Sequence, residues 1–62
     1  MPVVTIKLFE GRTREQKAEL AKRITDDMVE VMGAAASHTW VIFEDAARAD
    51  IAIAGELQDD VG

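Results

Sequence analysis

A strand–helix–strand unit of the α+β class, carrying a short C-terminal strand or hairpin, is the architecture this sequence predicts. Three observations predict it. An apolar run, Val3-Val4-Thr5-Ile6-Lys7-Leu8-Phe9, stands near the N-terminus. A long segment of helical periodicity follows, opened by a capping signature and closed by a glycine. A second apolar run then begins near position 40, after a crossover long enough to make the two strands parallel and the connection right-handed.

The first strand, Val3–Phe9, places Val4, Ile6 and Leu8 on one face and Val3, Thr5, Lys7 and Phe9 on the other. Its near-continuous apolar character implies that both faces are partly covered. Glu10-Gly11-Arg12 reads as a turn. Thr13 with Gln16 fits a capping box, in which each side chain satisfies a backbone amide of the other. The helix is expected from about Arg14 to Met32. Leu20, Ala21, Ile24, Met28, Val31 and Met32 form its apolar stripe, with the methionines as core fillers. Lys17, Glu19, Lys22, Arg23, Asp26, Asp27 and Glu30 lie mostly off the stripe as a solvated face. Gly33 suits the left-handed position that ends a helix.

The second strand is expected over about Thr39 to Glu44, with His38 in the loop before it. Ile51-Ala52-Ile53-Ala54-Gly55-Glu56-Leu57 reads as the short strand or hairpin, and residues 58–62 as a frayed end. Neither an internal repeat nor a linker is visible, so the expected organisation is one domain over residues 1–62.

Size sets the next constraint. A chain of 62 residues buries only about 60% of the surface its unfolded form exposes. Chains this small usually need disulfides, a metal or a partner. There are no cysteines and a single histidine, which excludes disulfides, thiolate zinc sites and a histidine-rich metal site within one chain. Yet 48% of the residues are hydrophobic. A two-stranded sheet with one helix leaves its second face bare, so the chain is expected to cover that face with a copy of itself as a homo-oligomer. The net charge of −5 argues against nucleic acid and against an anionic membrane surface. No run approaches the ~20 apolar residues of a membrane span, and no signal peptide is visible. The expected location is cytoplasmic.

The most informative residue is Pro2. Methionine aminopeptidases generally remove Met before a small residue such as proline. Removal of Met1 would leave a secondary amine, the one kind of proline nitrogen that can take a proton. A free α-amine has a reference pKa of roughly 7.7–8.0, and burial beside a cation lowers it. Such a group can act as a general base near neutral pH. The plain alternative is a proline at the start of a strand, where no ladder donor is needed.

Met1-Pro2 before an apolar strand, then Glu10-Gly11-Arg12-Thr13 and Glu15-Gln16-Lys17, resembles the 4-oxalocrotonate tautomerase family. The second strand with Val41-Ile42 and Glu44, and the Ala54-Gly55-Glu56-Leu57 tail, fit as well, so the likeness spans nearly the whole chain. The resemblance implies a βαβ subunit in a hexamer built as a trimer of dimers. It implies a keto–enol tautomerase without metal or cofactor, acting on a small carboxylate. Pro2 matches the family's base. Arg12 matches the arginine that binds a substrate carboxylate, commonly from a neighbouring subunit. Phe9 matches an apolar position lining the pocket.

Two departures stand out. Trp40 occupies the position of a second family arginine that polarises the substrate's oxygens. Ile51 replaces an aromatic wall residue. Moving a proton beside a ketone needs a base near the carbon and a donor or cation near the oxygen. With Trp40 in place of an arginine, the oxygen must find the Trp40 indole N–H, backbone amides or a water. One cation then favours monocarboxylates with an apolar body over dicarboxylates. Trp40 can also stack on Arg12 of another subunit or fill an interface.

Two other readings stay open. A protonated Pro2 could serve as the acid of a hydratase or dehalogenase, which would want a carboxylate base and a second arginine. The fold could also persist as a non-catalytic scaffold. Of the other polar residues, Glu44-Asp45 more simply end a strand than supply an acid. Thr13 is a cap, Asp26-Asp27 lack the spacing of a calcium loop, and His38 has no triad partners.

Overall fold

The computed structural model describes residues 1–59. Strand β1 spans Val3–Phe9, helix α1 Arg14–Met32 and strand β2 Trp40–Ala46. Two-residue strands β3, Ala52–Ile53, and β4, Glu56–Leu57, close the chain as an antiparallel hairpin. Short 3₁₀ turns precede β2 at Ala36–His38 and β3 at Arg48–Asp50. β1 and β2 are parallel, in register from Val3 opposite Trp40 to Phe9 opposite Ala46. The expected α+β, βαβ architecture is therefore the one adopted.

The helix is bounded as its sequence dictates. The Gln16 amide donates to the Thr13 hydroxyl at 3.1 Å, and the Thr13 amide donates to Gln16 Oε1 at 2.9 Å. At the far end Gly33 takes a left-handed conformation, φ 71°, and its amide donates to the Val29 carbonyl. Only glycine adopts that backbone without steric cost.

β2 runs over Trp40–Ala46 rather than 39–44. Its start is delayed because the Thr39 amide donates to the Ala36 carbonyl, closing the 3₁₀ turn. It runs on because β1 offers partners as far as Phe9, and the Glu10 amide donates to the Ala46 carbonyl at 2.9 Å. The tail also differs from expectation. Gln58 is anchored, its amide donating to the Ile51 carbonyl at 2.9 Å. Residues 60–62 lie outside the described residues.

No described side chain is fully buried. Val4, Ile6 and Leu8 of β1 and Val41 and Phe43 of β2 are half-buried, as are Ala21, Ile24, Thr25 and Met28 of the helix. The expected apolar stripe needs correction at its margins. Leu20 is exposed, and Val31 and Met32 are 76% and 69% exposed. A sheet two strands wide covers one line of the helix and no more. Lys17, assigned to the solvated face, is instead partly covered and pairs with Asp45 of β2 at 2.5 Å, joining helix to sheet.

The opposite face of the sheet is bare. Val3 and Trp40 lie side by side there, 56% and 52% exposed, with Ile42 two residues along β2. Beyond them the face turns polar, as Lys7 meets Glu44 at 3.5 Å. Among the described residues no helix is long and apolar enough to cross a membrane.

Candidate active site

The parallel register sorts the predicted site residues into two groups. Pro2 and Trp40 share one end of the sheet. The Trp40 amide donates to the Pro2 carbonyl at 3.0 Å, which fixes Pro2 against the start of β2. Pro2 is half-buried in an open depression of about 360 Å³ lined also by Met1, Met28, Met32 and Ala34. These linings come from the start of β1 and the end of α1, because the helix runs back antiparallel to the strand. The walls are apolar, the setting that disfavours a charged amine. With Met1 in place the Pro2 nitrogen is an amide; loss of Met1 turns it into an amine at the same spot.

Phe9, Arg12 and Ile51 belong to the other end. Arg12 lines a separate groove of about 190 Å³ with Leu8, Gln16, Lys17, Leu20 and Phe43. Phe9 is half-buried at the end of β1. Ile51 is half-buried where the 3₁₀ turn at Arg48–Asp50 gives way to the hairpin. At ~3.3 Å per residue, a seven-residue strand holds its two ends roughly 20 Å apart. Within one chain, then, the predicted base and the predicted carboxylate anchor do not meet.

The structure adds a residue that sequence reasoning passed over. Arg48 lies with its guanidinium carbon 4.7 Å from the centre of the Phe9 ring, and its Nη1 donates to the Gln58 carbonyl at 3.5 Å. A second arginine therefore does stand beside a predicted site residue, although none was expected. A cation in a polar loop gives no sequence signal of its own. Only the register, which puts Ala46 opposite Phe9, could have indicated that the next turn would reach the ring.

Charge pairing separates the cations. Lys7, Lys17, Lys22 and Arg23 pair with Glu44, Asp45, Asp26 and Glu19. Among the described residues Arg12, Arg14 and Arg48 make no ion pair. Glu44 and Asp45, the acids within β2, are both engaged. Among the described residues no cluster of three His, Asp or Glu side chains could hold a metal ion.

Known proteins resemble this chain in sequence and fold over nearly its whole length. The sequence model of the Tautomerase family, described as tautomerase enzyme, matches residues 2–60. A 2-hydroxymuconate tautomerase of Bacillus subtilis is 38% identical over 61 residues, 98% of each chain. A probable tautomerase of Lactococcus lactis is 45% identical over 58 residues, 94% of this chain and 95% of its own. The crystal structure of a 4-oxalocrotonate tautomerase homologue superposes with a TM-score of 0.94 at 32% identity, covering 100% of this chain and 98% of the other.

Proposed function

We propose, from the premise that the chain belongs to the tautomerase family and is a tautomerase-type isomerase, that Pro2, freed by loss of Met1, is its general base. The substrate class is small 2-keto or 2-hydroxydienoate acids, one of which is 2-hydroxymuconate, named for the Bacillus subtilis relative. The observation that carries the reading is the seat of Pro2, held by the Trp40 amide in an apolar depression open to a small molecule.

Arg12 anchors the carboxylate by a bidentate, charge-assisted contact, and comes from a second copy, since its own Pro2 lies a strand's length away. Phe9 of that copy lines the pocket beside it. Trp40 and Ile51 offer apolar walls, so monocarboxylates with an apolar body fit best. Two copies paired in this way are the unit of function, and three such pairs make the hexamer, placed in the cytoplasm. Ketonisation of an enol then needs no further reagent. The neutral amine takes the enol hydroxyl proton, the carbonyl forms at C2, and the proton returns to C3 or to C5 of a dienol. The amine ends as it began.

A proline-acid hydratase or dehalogenase would need a free carboxylate base as well. Glu44 and Asp45, the two acids that the sequence put forward for that role, are engaged by Lys7 and Lys17, which favours the tautomerase instead.

The test is Pro2→Ala, with intact mass verifying loss of Met1. General-base catalysis contributes about 10²–10⁴-fold, so kcat on enol pyruvates should fall by that factor. Wild-type activity should also decline as pH drops through the amine's pKa, because only the neutral amine accepts a proton. Full activity in correctly processed Pro2→Ala on every enol substrate of the wild type would end the proposal.

A further inference from the structure

We infer that Arg48 is the group that holds the reacting oxygen, in place of the cation that Trp40 does not supply. The inference rests on the tautomerase reading above and adds to it a residue for the oxygen and a reason for 2-keto acids as the substrate class.

Position is the first ground. Arg12 and Arg48 follow the C-terminal ends of two strands that lie side by side. Arg12 comes just after Phe9 and Arg48 just after Ala46, and those strand ends are opposite each other in register. The Glu10 amide bonded to the Ala46 carbonyl keeps the two connections together as they leave the sheet. In open sheets of parallel strands, ligands gather at the carboxyl ends.

Orientation is the second. Arg48 lies on Phe9, the aromatic residue of the predicted pocket, and its backbone belongs to the turn that leads into Ile51. The Ile51 amide donates to the Arg48 carbonyl at 3.2 Å. Arg48 thus touches one predicted wall and is tied through its own backbone to another. Stacking on a ring orients a guanidinium while leaving its edge N–H groups free to donate. One of them spans 3.5 Å to the Gln58 carbonyl, a long contact that leaves the fork unsaturated.

Charge is the third. In a chain with twelve acidic residues, neither Arg12 nor Arg48 has an acidic partner among the described residues. An unpaired cation is available to an anionic ligand, and two guanidiniums that follow neighbouring strand ends offer one charge for each of the two oxygen groups of a 2-keto acid. Its carboxylate and its C2 oxygen sit on neighbouring carbons. Arg12 takes the first, and Arg48 takes the second and opposes the negative charge that grows on it as the enol proton leaves for Pro2 of the other copy. No oxidant, metal or second substrate enters this step. The arrangement keeps the preference for one carboxylate, because the second guanidinium is used on the oxygen.

The test compares wild type, Arg48→Gln and Arg48→Lys, each with Met1 loss and native assembly mass verified. Arg48→Gln retains a donor for the Gln58 carbonyl and removes the charge. Two ligands, phenylpyruvate and 3-phenylpropionate, are titrated by Trp40 fluorescence, and ketonisation of enol-phenylpyruvate is followed. Loss of an oxyanion donor typically lowers kcat by about 10²–10³-fold, and that is the expected fall in Arg48→Gln. The preference for phenylpyruvate over 3-phenylpropionate should disappear, with affinity for the latter unchanged. Arg48→Lys should recover a substantial part of the rate.

The inference is overturned if Arg48→Gln turns over within about threefold of wild type, well short of the loss of one oxyanion donor. It is equally overturned if both ligands weaken alike, or if Arg48→Lys is as poor as Arg48→Gln, since Arg48 would then be a structural clip for the hairpin. Failure of the tautomerase reading looks different: no enol is turned over by the wild type at all. The titrations still decide Arg48 in that event, because a phenylpyruvate preference present in wild type and lost in Arg48→Gln supports it, and its absence from wild type refutes it.

Discussion

The two ends of the β1–β2 pair differ in what they can offer a substrate. At the amino end stand Pro2 and Trp40, joined by a backbone hydrogen bond and surrounded by methionine and alanine, with no Lys or Arg lining the depression. At the carboxyl end Arg12 and Arg48 lack acidic partners among the described residues, and Phe9 provides an aromatic surface under one of them. One end suits a neutral amine and the other an anion. Keeping them apart has a physical advantage. Two cations in contact with the proline throughout would be balanced by nothing until substrate arrived. If the cations come from a second chain, as proposed, each end can fold against its own neighbours first.

The sharpest way to break this comparison is to separate the two ends genetically. Pro2→Ala and Arg12→Ala should each be nearly inactive, by about 10²-fold or more. Mixed and reassembled in equal amounts, they should regain activity. If each site takes Pro2 from one copy and Arg12 from a partner related by a twofold axis, random pairing makes about a quarter of the sites intact. Recovery towards about a quarter of wild-type turnover, measured after native mass spectrometry shows mixed assemblies, is the expected outcome. No recovery despite mixing would mean that base and anchor act within one chain, against the length of β1.

A smaller effect is expected from attacking the bare face instead of either end. Ile42 and Trp40 project from the uncovered side of the sheet, 38% and 52% exposed. If a second copy covers this face, an aspartate at position 42 would place an uncompensated charge in the contact, at a cost of about 3–5 kcal/mol. Ile42→Asp should therefore shift the native mass towards smaller species and lower activity in proportion, with activity partly restored at high protein concentration. An unchanged mass would show that the copies pair through a different surface.

Local rules made most of the fold legible. Thr13, Gln16 and Gly33 set the helix limits by hydrogen bonds within a few residues, which a sequence displays directly. Strand β1 likewise declared its two faces. The misread parts depend on tertiary geometry. Whether Leu20, Val31 and Met32 are covered is decided by how wide the sheet is, which periodicity does not report. Lys17 looked solvated, but packing of the helix on the sheet brings it to Asp45 of β2. The candidate site divides in the same way. Pro2, Arg12 and Trp40 were marked by motif and position. Arg48 was silent, because its interest comes from lying on Phe9, a contact between residues far apart in the chain.

The smallest predicted effects compare the two ends of α1, which point at the two halves of the site. Thr13→Ala removes the cap beside Arg12 and should cost about 1 kcal/mol. Gly33→Ala acts at the proline end. A Cβ there would meet nothing within 4 Å, so its cost is purely that of holding a non-glycine residue at φ 71°, about 1–2 kcal/mol. Thermal melts at one fixed protein concentration make the two comparable, since assembly couples stability to concentration. The kinetic consequences should part company. Thr13 follows Arg12 directly, so a looser helix start should raise KM for the carboxylate with little change in kcat. Gly33 neighbours the Ala34 that lines the depression around Pro2, so its substitution should act on kcat more than on KM. Opposite assignments of the two parameters would mean that the helix ends do not position the groups beside them, and that the strands alone set the geometry of base and anchor.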